Sequence, residues 1–135
     1  MENIYTAKIE SGSREFSKRE RLQITATDTA ISLNDATKGG ERVRFSPVDW
    51  ALVSVHNPNA KPDRNTGEVR TDYDVFVVLA DDGEMYNTSS SVFIENFMHI
   101  YDVMNEGEPE EYEIECYRFP SSNNSGDFLT CKLVF

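Results

Sequence analysis

Tyr73-Asp74-Val75-Phe76-Val77-Val78-Leu79-Ala80 runs into Asp81-Asp82-Gly83 and then Glu84-Met85-Tyr86-Asn87. The first stretch is almost continuously apolar, the pattern of a strand buried on both faces. Asp82-Gly83 is a two-residue hairpin signal, so residues 84–87 return as the next strand. Upstream, residues 50–56 are β-branched and alternating, and Asn57-Pro58 closes them. Arg42-Val43-Arg44-Phe45 is a shorter strand stopped by Ser46-Pro47. Downstream, Phe93, Phe97, Ile100, Tyr101 and Met104 recur at i, i+4, i+7, i+8 and i+11, one face of a helix. Ser89, Ser90 and Ser91 are each competent to cap its start, and Asn105-Glu106-Gly107 ends it. Tyr112, Ile114 and Cys116 then alternate with Glu113, Glu115 and Tyr117. After a polar turn at 120–126, Leu129, Cys131 and Leu133 alternate with Thr130, Lys132 and Val134. Both cysteines fall on the inward phase of this hairpin, where reduced thiols act as small hydrophobes rather than as a redox pair.

From about residue 49 the order is therefore strand, strand, strand, helix, strand, strand. That is the order of a mainly β, OB-fold-like barrel: five or more antiparallel strands with one α-helix between the third and fourth core strands. The first forty residues are less regular. Ile4-Tyr5-Thr6-Ala7-Lys8-Ile9 and Arg21-Leu22-Gln23-Ile24-Thr25 alternate loosely as strands, with a turn at Ser11-Gly12-Ser13. Ala30-Ile31-Ser32-Leu33 is at most a short strand. The expectation is a single domain, 1–135, with 1–40 an N-terminal strand extension packed on the barrel and 41–135 the barrel itself. The loop at 57–71, with two prolines and three bases, is long for a compact domain.

The chain has 24 acidic and 13 basic residues, a formal charge of −11. The imbalance is local. Asp102, Glu106, Glu108, Glu110, Glu111, Glu113 and Glu115 form a run with no base among them. Bases gather at Arg14, Lys18, Arg19 and Arg21, at Lys38, Arg42 and Arg44, and at Lys61, Arg64 and Arg70. Salt confines each patch to about 8–10 Å, so a net-acidic protein can still focus positive potential on one face. No apolar run approaches the roughly 20 residues of a membrane helix. The N-terminus lacks the pattern of a signal peptide, and a soluble, cytoplasmic protein is expected. Asn87-Thr88-Ser89 and Asn123-Asn124-Ser125 then match the glycosylation sequon by chance.

Nothing in the sequence assembles a catalytic constellation, and no enzyme activity, cofactor or metal is expected. His56 and His99 belong to no HExxH or Cys–His pattern, and His99 beside the apolar stripe reads as a partly buried structural histidine. Gly39-Gly40 lacks the Lys-Ser/Thr of a phosphate loop, and the acidic run lacks calcium-loop spacing. Single-stranded nucleic acid calls for aromatic faces on which bases stack and for cations that follow phosphates. Trp50, Phe76, Tyr86 and Tyr117 take the outward strand phase, with Phe76 better read as core. Arg42, Arg44, Arg70, Arg118 and Lys132 supply candidate phosphate contacts. Arg118 and Lys132, on facing strands beside Glu113 and Glu115, suit cross-strand ion pairs equally well.

Residues 86–93 (Tyr-Asn-Thr-Ser-Ser-Ser-Val-Phe) with Phe97, and Tyr117-Arg118-Phe119-Pro120-Ser121-Ser122-Asn123 through Gly126-Asp127-Phe128-Leu129-Thr130-Cys131, carry a resemblance. They are similar to small single-stranded-DNA-binding proteins of phages and mobile elements of Gram-positive bacteria, mainly over the C-terminal third. A weaker echo lies in residues 30–37. The resemblance implies an OB-like fold and a non-catalytic protein that coats replication or recombination intermediates. Its partners would be single-stranded DNA, phage or host replication proteins, and further copies of itself. The chain departs from that family in the 120–126 turn, where Ser122 replaces a lysine and Gly126 leads directly into Asp127. It also ends in strand-like residues rather than in an acidic tail.

A second reading starts from the charge. An acidic inhibitor of anti-restriction or anti-CRISPR type would present the carboxylates at 102–115 where a basic host nuclease expects phosphates.

Overall fold

In the computed structural model, which describes residues 5–26, 29–62, 66–120 and 127–135, Val75, Phe76, Val77 and Val78 lie mid-sheet and all four are buried. The elements are β1 (Thr6–Gly12), α1 (Lys18–Thr25), β2 (Ile31–Ser32), α2 (Leu33–Ala36), β3 (Val43–Phe45), β4 (Pro47–His56), β5 (Asp72–Ala80), β6 (Met85–Thr88), α3 (Ser91–Met104), β7 (Ile114–Pro120) and β8 (Asp127–Leu133). A 3-10 turn spans Lys38–Gly40. The protein is mainly β, with eight strands and three helices among the described residues. The strands form two sheets, ordered β1-β4-β5-β6-β2 and β3-β7-β8. All pairings are antiparallel except β2 with β6.

The larger sheet is covered on both faces. Register places Trp50, Val78 and Tyr86 in one row, and Leu52, Phe76 and Thr88 in the next. That face meets Phe93 and Phe97 of α3 and the inner residues Phe45, Ile114, Cys116, Leu129 and Cys131 of the smaller sheet. The opposite face, with Ala51, Val53, Val55, Val75 and Val77 and their β1 neighbours Ala7 and Ile9, packs against Ile24 of α1 and Phe16. Double coverage explains the unbroken apolar reading of β5, because each alternate side chain meets a core. Burying each large side chain contributes about 1.5–3 kcal/mol.

The Asp82-Gly83 turn joins β5 to β6, and Gly83 takes the positive φ of 89° that a side chain would resist. Ser90 caps α3, its hydroxyl accepting from the Phe93 N–H at 3.4 Å.

One local expectation is overturned. Residues 21–25 are helix, not strand. The Ser17 hydroxyl accepts from the Glu20 N–H at 3.2 Å, and the Glu20 carboxylate accepts from the Ser17 N–H at 2.8 Å. This capping box starts α1, and alternation over five residues was too short a signal to outweigh it. Arg14 then holds the segment to the sheet, pairing with Glu20 at 2.6 Å and with Asp49 at 3.0 Å. The first forty residues thus contribute an edge strand, β1, along β4, and a covering helix. The Arg64 position and the turn at 121–126 lie outside the described residues. No helix among those described is long and apolar enough to cross a membrane.

Candidate nucleic-acid interface

The smaller sheet has one covered face and one open one. Along β7, Ile114 and Cys116 point into the core, while Glu115, Tyr117 and Phe119 take the other phase. Register sets Arg44 of β3 and Lys132 of β8 on either side of Glu115. The three side chains meet. The Arg44 Nε donates to Glu115 Oε1 at 2.8 Å, the Arg42 guanidinium donates to Oε2, and Lys132 Nζ lies 3.5 Å from Oε2. The Glu115 side chain is only 5% exposed, whereas Arg42, Arg44 and Lys132 are each more than half exposed. Donation from Arg44 and Arg42 holds the Glu115 carboxyl at about 2, well below its ordinary 4.5. Three cations share one carboxylate, so the cluster retains positive charge; Glu113, 3.9 Å from Arg44, offsets part of it.

Tyr117 lies next along the strand. Arg42 sits over its ring at 4.9 Å and Lys132 at 5.3 Å. Beyond it, Phe119 is 51% exposed and pairs with Phe128 across the hairpin at 5.5 Å. The open face therefore carries a cationic cluster, a tyrosine under two of its cations, and an exposed phenylalanine, all in one line along β7.

The structure divides the eight candidate residues. Arg42, Arg44, Tyr117 and Lys132 converge on this face. Trp50 and Tyr86 are not outward: Tyr86 belongs to the main core with Phe76, and Trp50, half-buried, packs against it. Tyr86 is buried and stacks on Phe45 at 4.0 Å, and Trp50 stacks on Phe76 at 5.7 Å. The reason is the double coverage of the larger sheet over β4, β5 and β6, which leaves these positions no outward phase. Arg118 is a tie within the fold. Its Nε donates to Thr37 Oγ1 at 3.2 Å and its Nη2 donates to the Asn34 carbonyl, so it fastens the α2 segment to β7. It lies opposite Leu129, so of Arg118 and Lys132 it is Lys132 that makes the cross-strand pair with Glu115. Arg70 is exposed in the loop before β5, beside Lys61, Glu68 and Tyr73, in a groove of about 480 Å³.

Of the acidic run, Glu115 is neutralised inside the cluster and Glu113 is half-buried beside it. Asp102, Glu106, Glu108, Glu110 and Glu111 are exposed at the end of α3 and in the loop after it. His56 pairs with Asp72 at 2.8 Å across the β4–β5 ladder, and His99 is exposed on α3 rather than partly buried. Among the described residues no group of three or more His, Cys, Asp and Glu side chains could hold a metal ion. Cys116 and Cys131 are cross-strand partners, both buried and unbridged. Burial pushes the Cys131 thiol up to about 12 and Cys116 higher still, so neither is a ready thiolate.

Sequence reasoning missed Phe119 and Phe128. The signal was present, because Phe119 follows Glu115 and Tyr117 at period two on the polar phase of β7. No family model, no curated protein and no solved structure matches the chain.

Proposed function

We propose that this is a non-catalytic single-stranded-DNA-binding protein of a phage or mobile element, acting in the cytoplasm of a bacterial host, and that it binds through the open face of β3-β7-β8. The observation that carries the reading is the line of Arg42, Arg44 and Lys132 beside Tyr117 and Phe119 on one exposed sheet face. Exposed cations follow a phosphate backbone, and an exposed ring accepts a base whatever the sequence. Phe119 is the better platform, since the Tyr117 ring already carries two cations. The run of β4, β5, β6, α3, β7 and β8 supports an OB-like relationship, with the strands divided between two sheets. Fluorescence anisotropy of a labelled oligo-dT tests the reading. Binding should exceed that to duplex and fall steeply between about 50 and about 200 mM salt, as phosphate counterions are released. An unchanged signal at the lower salt contradicts it.

A second reading rests on a different observation, the exposed carboxylates at 102–111, none of which makes an ion pair among the described residues. An acidic inhibitor would use them to occupy the DNA channel of a basic host nuclease. It would compete with that nuclease's DNA and ignore oligonucleotides itself. Inhibition that survives charge reversal over 106–111 contradicts this second reading.

A further inference from the structure

Helix α1 buries one side chain, Ile24, and shows solvent an apolar residue inside a cationic patch. Leu22 is 72% exposed, and Lys18, Arg19 and Arg21 around it are exposed as well. None of these three cations makes an ion pair among the described residues; Glu20, the one acid in the helix, is taken by Arg14. Leu22 forms a ridge between two shallow grooves. One, about 480 Å³, runs along β1 past Ala7, Ile9 and Arg21; the other, about 690 Å³, runs towards Gly83 and Met85 past Arg19.

The chain carries the complement of this patch elsewhere. Val103, 48% exposed on the last turn of α3, is flanked by Asp102 and by the loop with Glu106, Glu108, Glu110 and Glu111. The Glu106 N–H donates to the Val103 carbonyl at 3.2 Å, which fixes the start of the acidic loop beside the valine. The two patches lie in different layers. Helix α1 covers one face of the larger sheet, and α3 packs against the other. One molecule therefore cannot close its own acidic loop on its own α1.

We propose that α1 of one molecule receives the Val103 and 106–111 surface of a second copy, so that the protein associates head to tail. A pair leaves one patch of each sign free, one on each molecule, and such heterologous contact continues into rings or open chains. Opposite charge sets the approach, and the two aliphatic side chains are the contact that water leaves. The proposal stands apart from DNA binding, because neither patch includes the open face of β3-β7-β8.

Sedimentation equilibrium of the full chain, without DNA, tests it. The average mass should rise with concentration in about 20 mM salt and fall back towards the monomer in about 500 mM, where the Debye length is about 4 Å. Combined Lys18→Glu, Arg19→Glu and Arg21→Glu should weaken association about tenfold or more, and so should Glu106→Lys, Glu108→Lys, Glu110→Lys and Glu111→Lys. A chain carrying both sets should associate again, because its two patches are complementary with exchanged signs. Leu22→Ser, which leaves every charge in place, should weaken association while preserving its salt dependence. A monomer at every concentration in low salt overturns the proposal. Association that persists in either single set, or that fails to return in the exchanged chain when all variants melt as the parent does, overturns it equally.

Discussion

Strands β5 and β7 sit in different sheets and carry opposite patterns. In β5 four consecutive side chains, from Val75 to Val78, are buried because both faces of the larger sheet meet a core. In β7 the alternation of Ile114 and Cys116 with Glu115, Tyr117 and Phe119 marks a sheet with one covered face and one open face. The Val75–Val78 stretch of the first strand holds the fold and has no surface left to offer. The second can hold the fold with half its residues and meet a partner with the rest. Aromatic rings in β4, β5 and β6 are structural for this reason, while those of β7 are open to a second role.

The comparison breaks first, and most heavily, in β5. Phe76→Ala removes a ring in contact with Trp50, Phe93 and Phe97 and should cost about 3–5 kcal/mol in urea-induced unfolding. A loss below about 1 kcal/mol would mean that this face is not a close-packed core. Next comes binding through β7. Phe119→Ala should weaken oligo-dT binding by about 1–3 kcal/mol, the scale of one stacked base, with little change in the melting temperature. Lys132→Gln should weaken binding less and flatten its salt dependence by about 0.7 in logarithmic slope, the release of one counterion from a single strand.

The smallest effect is on the pH profile of stability. Glu115 is held at about 2 against an ordinary 4.5 by Arg44 and Arg42. A carboxylate depressed in the folded state contributes stability that is complete above its unfolded value and is lost as pH falls through the folded one. The parent should therefore lose stability between about pH 4.5 and about pH 2 more steeply than Glu115→Gln. Glu20, held at about 2 chiefly by Arg14, acts over the same window and remains in the variant. Equal slopes for the two proteins would show that the cations do not act on Glu115 in solution.

Much of the fold was legible in the sequence because period and punctuation agreed. The apolar run of β5, the Asp82-Gly83 turn, the Phe93–Phe97 face of α3 and the alternation of β7 each had a single reading. Residues 21–25 went wrong because five alternating residues also fit a helical turn, and the Ser17–Glu20 capping box was the more specific sign. Most of the proposed face was legible too, in Arg42, Arg44, Tyr117 and Lys132, although Phe119 was missed. Trp50 and Tyr86 were misplaced because strand phase separates two faces without saying whether both are covered. That depends on α1 and α3, elements distant in sequence. Arg118 looked the same as Arg44 in sequence, and only the approach of α2 distinguishes a tie from a free cation.

The central claim is that the open face of β3-β7-β8, and no other surface, meets single-stranded DNA. Titration of ¹⁵N-labelled protein with oligo-dT in low salt, followed by amide shift mapping, tests it most directly. The account predicts changes clustered at Arg42, Arg44, Glu115, Tyr117, Phe119 and Lys132, with Val53 and Val77 undisturbed. Shifts centred on α1 or on the groove beside Arg70, or no shifts at all, would contradict it.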